Sequence, residues 1–272
     1  MRVAEGVLAR DGHFAGSAER RAAGVLQMFA DPQVSLVMPA NGGTGAPHLV
    51  DLLDYELIRA NPKLFTRFSD PTMLNNSILA AAGLPSVFGV SGFQFFGWPD
   101  ADEPTESAFW RMVSGPVAGQ EVTGRDWRVY RADAAVISGP VMGGNLWAML
   151  AVAGTRWMPP TTGAILLLED FAATFDDVDR RLAHLRLAGV FDGIAALVIG
   201  TPADWEAEDA PDTSADELIL RCAGGRFPVI AGAGLGHQQR KIVFPVGCRV
   251  EFDLRGGQPV LRYLEDLVTP GR

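Results

Sequence analysis

Short runs dominated by apolar residues recur at positions 34–38, 84–90, 163–168, 195–200 and 227–231. Apolar side chains that do not alternate with polar ones suit a parallel strand buried on both faces. Helix signals lie between the runs. Ser17 is placed to cap a helix over 18–30 that Asp31-Pro32 ends, and Pro47 opens another that continues to about residue 60. Further helices are predicted at 73–83, 105–113, 146–152, 176–187 and 217–222, and residues 3–9 alternate weakly, as a strand would. Strand and helix taking turns along a chain predict an α/β fold with a mainly parallel sheet. The end differs: 242–244, 249–254 and 260–264 read as β-hairpin material, with Gly256-Gly257 at a turn. Residues 115–124 are Gly-rich and aperiodic, which divides the chain into domains at 1–114 and 127–272 with a transition over 115–126.

One stretch carries a chemical signal. Residues 63–68 form a β-prone run, Asp70 is placed as an N-cap, and Pro71 suits a first helical position because its ring presets φ. Ser69 therefore falls at a strand-to-helix corner, beside the positive end of a helix. A hydroxyl there suits a nucleophile whose attack creates an oxyanion, and it equally suits a plain turn residue. The loop Gly42-Gly43-Thr44-Gly45 follows the 34–38 run directly. It matches neither a Walker A nor a dinucleotide fingerprint, which leaves close approach of backbone to a substrate as the main use of its glycines.

Two more residues close predicted strands. The run 163–168 ends in Glu169-Asp170, and His237 stands in a glycine-rich loop after the run 227–231. Of the four histidines, His237 alone is so placed. A serine needs a neighbouring base, imidazole titrates in the useful range, and a carboxylate on its far nitrogen fixes the tautomer. Glu169 could also be a plain surface carboxylate. Asn145, in the segment Gly143-Gly144-Asn145-Leu146, could bond a substrate or tie its own loop. The aromatic stretch 93–98 could line a cleft or pack in a core.

Composition narrows the classes. A net charge of -9 disfavours nucleic acid as a partner. Cys222 and Cys248 form no disulfide framework and no metal-ligand spacing, and read as buried thiols in a reducing compartment. Neither a signal-peptide apolar region nor a membrane-length apolar run is visible, so a cytoplasmic location without membrane contact is expected.

Gly42-Gly43-Thr44-Gly45-Ala46, Leu53-Asp54-Tyr55, Asn61-Pro62-Lys63 and Phe68-Ser69-Asp70, taken in order, resemble the LD-carboxypeptidase family of serine peptidases. That family includes muramoyltetrapeptide carboxypeptidases and microcin C immunity peptidases. The segment 143–146, Gly154-Thr155 and Asp179-Arg180 extend the resemblance across most of the chain. The chain departs from the family wording at Asn41, where Arg is common, and at Arg67-Phe68, where Gly-Tyr is usual.

The resemblance implies Ser69 as nucleophile, His237 as base and Glu169 as its orienting carboxylate. It further implies oxyanion donors at the backbone of Asp70 and Gly43, Asn41 and Asn145 as substrate-binding candidates, and no metal or cofactor. It implies an N-terminal domain carrying Ser69, a C-terminal domain carrying Glu169 and His237, a site between them, and a homodimer. The expected substrate is a small peptide, specifically a muropeptide cleaved at a C-terminal amide bond. The alternatives are a peptidyl or aminoacyl nucleotide analogue, toward which Asn41 and Gly189-Val190-Phe191-Asp192 lean, and a non-catalytic binding protein of the same fold. Members usually carry one βα unit before the segment that residues 3–9 resemble, so an N-terminal sheet short of that unit is expected.

Overall fold

The computed structural model describes residues 1–92, 102–124, 126–200, 213–224 and 227–268. The predicted aromatic stretch 93–98 and most of the acidic segment 204–216 lie outside the described residues. Ser17 caps α1 (Ala18–Ala30) by accepting the Arg20 N–H at 3.3 Å. Residues 5–8 are a turn rather than part of a strand, with Gly6 at φ +79°. The helix expected from Pro47 is interrupted: a 3₁₀ turn over Ala46–His48 precedes α2 (Tyr55–Ala60). Asp54 starts α2 afresh by accepting the Glu56 and Leu57 N–H groups. The remaining helices are α3 (Thr72–Ala82), α4 (Glu103–Ser114), α5 (Leu146–Val152), α6 (Phe175–Leu187) and α7 (Ala215–Ala223).

The strands are β1 (Leu36–Val37), β2 (Leu64–Phe65), β3 (Ser86–Phe88), β4 (Glu121–Thr123), β5 (Arg128–Tyr130), β6 (Val136–Asn145), β7 (Ile165–Glu169), β8 (Ala196–Gly200), β9 (Val229–Ala233), β10 (Phe244–Val246), β11 (Arg249–Asp253) and β12 (Val260–Tyr263). β1 and β2 pair in parallel, Thr66 bridges Val87, and β3 pairs antiparallel with β10. Lys63 of the Asn-Pro-Lys segment fixes this start, donating at 2.7 Å to both the Asp31 and Val34 carbonyls.

The large sheet runs β4-β12-β11-β6-β7-β8-β9-β5. Its centre, β6 to β9, is parallel, and the hairpin β11–β12 adds antiparallel strands on one side. Ile165 to Leu168 are each fully buried. Leu166 and Leu168 face one core and Ile165 and Leu167 the other, as period-2 geometry requires of a strand covered on both faces.

β6 is the strand the sequence concealed, because a Pro and three glycines interrupt its apolar pattern. Its first half pairs with β11 and its second half with β7, and Pro140 stands at the changeover. The glycines answer to close approach: a Cβ on Gly139 would lie 2.3 Å from the Gly163 carbonyl oxygen, and one on Gly143 2.2 Å from that of Leu167. No helix among the described residues is long and apolar enough to cross a membrane.

Candidate active site

α3 carries the corner to the sheet. Thr72 Oγ1 accepts the Asn145 N–H at 3.3 Å, while Asn76 exchanges two 3.0 Å hydrogen bonds with the backbone of Gly143. Gly144 makes this docking possible, since a Cβ there would sit 2.7 Å from Thr72 Cγ2. The N-terminus of α3 is thereby fixed against the end of β6, where β6 lies beside β7.

Ser69 occupies the turn into α3 with φ +66°, one of three non-glycine residues described at positive φ. That conformation is costly for a residue with a Cβ and marks a constrained corner. The expected capping role of Asp70 is not what the structure shows. Pro71 takes the N-cap position, and Asp70 Oδ2 instead accepts the Ala46 N–H at 2.8 Å, tying the glycine loop to the corner. Burial pushes the Asp70 carboxyl above its ordinary range, opposed by the N–H groups of Ala46 and Gly45. Gly42 packs on the nucleophile candidate: a Cβ there would be 3.1 Å from both Ser69 Oγ and Arg67 Nη2. Gly43, at φ +142°, and Asn41 are exposed.

Glu169 closes β7 opposite Asn145, which closes β6 in the same register. Its carboxylate is almost wholly buried and both oxygens are bonded. Asn145 Nδ2 donates to Oε1 at 3.1 Å, and His237 Nδ1 lies 2.8 Å from Oε2. Asn145 does double duty, because its Oδ1 caps α5 through the Ala148 N–H. The neighbouring Asp170 is taken by Arg181 at 2.6 Å, which leaves Glu169 as the carboxylate that meets the histidine.

His237 follows β9, two strands from Glu169, so the contact must pass over the end of β8. Two glycines clear the way. A Cβ on Gly200 would stand 3.0 Å from Glu169 Cβ, and one on Gly236 would stand 2.1 Å from Glu169 Cδ. With Nδ1–H donated to the carboxylate, Nε2 carries the lone pair, the arrangement a general base requires. Phe171 stacks on the imidazole at 4.8 Å, and Phe68, next to Ser69, meets it edge-on at 5.0 Å. Phe68 thus links the serine corner to the histidine.

Two cations flank the Phe68 ring. Arg67 Cζ is 5.0 Å and Lys241 Nζ 4.0 Å from its centroid. Both side chains are buried. Burial lowers the Lys241 ammonium to about 7, with Arg67 adding to the shift and Glu169 opposing it. Burial likewise lowers Arg67 to about 10, with Asp70 opposing. Sequence reasoning passed over Lys241, Phe171, Gly200 and Gly236. One signal was available, since Lys63 and Lys241 are the only lysines in an arginine-rich chain.

Residues 1–89 match the LD-carboxypeptidase N-terminal domain, and residues 138–252 match the LD-carboxypeptidase C-terminal domain. A Streptomyces coelicolor protein with a provisional carboxypeptidase name is 30% identical over 249 residues, covering 90% of this chain and 77% of its own. The microcin C7 self-immunity protein MccF of Escherichia coli is 25% identical, covering 89% of this chain and 78% of its own. Among solved structures, muramoyltetrapeptide carboxypeptidase from Oxalobacter formigenes superposes with a TM-score of 0.82 at 26% identity, covering 93% of this chain and 87% of the other. MccF in complex with glutamyl sulfamoyl guanosine superposes with a TM-score of 0.88 at 23% identity, covering 97% and 86%, a likeness of fold alone. With both domains matched in order along most of its length, this chain belongs to the LD-carboxypeptidase family.

Proposed function

We propose that the protein is a serine peptidase that hydrolyses a C-terminal amide bond of a muropeptide, releasing the terminal amino acid. The observation that most supports this reading is the buried Glu169 carboxylate 2.8 Å from His237 Nδ1, at the sheet edge against which the Ser69 corner is docked. In the proposed reaction His237 Nε2 takes the Ser69 hydroxyl proton as Oγ attacks the carbonyl. The backbone N–H groups of Asp70 and Gly43 receive the oxyanion, and each such donor contributes about 10²–10³ in rate. Collapse of the tetrahedral intermediate expels the amine, protonated by His237, and water hydrolyses the acyl-enzyme by the same route. Asn41 is assigned to substrate recognition and Asn145, whose amide is taken by Glu169 and the Ala148 N–H, to holding the carboxylate in place. The protein is assigned to the cytoplasm as a homodimer.

The second reading has the same chemistry acting on an aminoacyl nucleotide analogue, and it is supported by the likeness to MccF along most of the chain. Incubating the protein separately with a murein tetrapeptide and with an aminoacyl-sulfamoyl adenosine decides between the two. Release of the terminal amino acid from the tetrapeptide alone supports the first reading. Turnover of neither, with Ser69 inert to acylating probes, leaves a binding protein.

A further inference from the structure

Six buried side-chain atoms among the described residues lack a hydrogen-bond partner, and all lie between Thr66 and Ser86, around the Ser69 corner. Two belong to one cation: Nε and Nη1 of Arg67, a residue only 3% exposed. A guanidinium withdrawn from water without acceptors is expensive, so its burial calls for an anion. Asp70 is a carboxylate whose charge acts on Arg67, but its Oδ2 is bonded to Ala46 and its Oδ1 meets no donor. Asp70 therefore offsets the charge of Arg67 without filling its fork. Arg67 is also where the corner departs from the motif it resembles.

The position of the guanidinium is informative. Arg67 Nη2 and Ser69 Oγ each lie 3.1 Å from the same point, the site a Gly42 Cβ would occupy. Their separation is therefore at most twice that distance. In a peptide whose last amide bond is cleaved, the terminal carboxylate carbon is three bonds from the scissile carbonyl carbon, no more than about 4 Å away. A carboxylate at that distance from the attacked carbon falls within reach of Arg67. Lys241, 4.0 Å from the centroid of the same Phe68 ring, adds a second basic group to the region.

We infer that Arg67 forms a subsite for the free terminal carboxylate of the substrate and so selects for cleavage of the last residue. This assignment rests on the function proposed above. A planar fork meets a carboxylate through two parallel charge-assisted hydrogen bonds, which an amide terminus cannot match.

The test reads binding on Ser69→Ala protein, which has no nucleophile. A peptide ending in a D-amino acid is titrated calorimetrically as the free acid and as the C-terminal amide. Aminoacyl-sulfamoyl adenosine forms a third arm. The free acid is expected to bind about 10- to 100-fold more tightly than the amide. Adding Arg67→Met is expected to abolish that preference while leaving the affinity for the amide within a few-fold. Adding Arg67→Lys, which keeps the charge and loses the fork, is expected to retain part of it, and this variant serves if the Met protein does not fold. Equal affinity for acid and amide, binding of neither, a preference that survives Arg67→Met, or a loss confined to the sulfamoyl adenosine overturns the assignment. Because turnover is not measured, a wild-type protein that cleaves no peptide refutes the proposed function without deciding this subsite.

Discussion

Gly236→Ala perturbs the site without replacing any residue assigned to chemistry. The new Cβ would lie 2.1 Å from Glu169 Cδ and 2.2 Å from its Oε2, at a backbone φ of +60°. Ordinary contact between such atoms is about 3.5–4.0 Å, so the carboxyl must retreat by more than about 1 Å. That retreat breaks the 2.8 Å contact with His237. Two stability costs follow. The left-handed backbone costs roughly 1–2 kcal/mol once a Cβ is present. The lost hydrogen bond to a buried charge costs about 1.5–3 kcal/mol more. For catalysis, a 1 Å misplacement costs about 10²-fold and loss of the orienting carboxylate about 10⁴-fold. A fall in kcat/KM between these limits is expected. Gly154→Ala is the control: φ is +74° there and a Cβ meets nothing within 4 Å, so it carries the backbone cost alone. The assay is release of the terminal amino acid from a tetrapeptide, with urea unfolding of both variants. A Gly236→Ala protein that keeps wild-type kcat/KM and loses no more stability than Gly154→Ala would refute the claim that the Glu169–His237 contact serves catalysis.

Other outcomes follow from the same geometry. Ser69→Ala should abolish turnover and Glu169→Gln should lower kcat by several orders of magnitude, up to about 10⁴, with folding intact by circular dichroism. Lys241 is held at about 7 by burial, against 10.5 for an ordinary lysine, so the unfolded chain binds the extra proton between those values. Wild-type stability relative to Lys241→Met should therefore rise with pH across that window, by an amount on the order of a few kcal/mol. A difference that stays flat in urea titrations contradicts this. Burial pushes the Cys222 thiol to about 11 and the Cys248 thiol to about 12. Neither should react with a disulfide reagent near neutral pH until the protein is unfolded, and prompt labelling of the native protein would count against the packing described.

Much of the architecture was legible because buried parallel strands announce themselves as apolar runs. The runs that became β7, β8 and β9, and the cap at Ser17, are local signals that tertiary structure had no reason to override. β6 was illegible because its residues are chosen for contact, not for propensity. Gly139, Gly143 and Gly144 lie where a side chain would strike the neighbouring β7 segment, or Thr72 and Phe88 across the fold. Residues 3–9 misled because weak alternation says nothing about whether a partner strand exists. At the site, Ser69, Glu169 and His237 were visible as polar residues closing strands. Asp70 was misread because capping is a local inference, whereas its carboxylate is claimed by Ala46 from a different loop. Phe171 and the two clearing glycines matter only once β7 and β9 are known to flank β8.

The central claim is that Ser69 is a nucleophile activated by His237. It is tested most directly by treating the native protein with a fluorophosphonate acylation mimic and mapping the adduct by peptide mass spectrometry. The account predicts a single adduct on Ser69, formed at least about 10²-fold more slowly in His237→Ala, since general-base assistance is worth about 10²–10⁴. No adduct on the wild-type protein, an adduct on another residue, or equal labelling rates with and without His237 would contradict it.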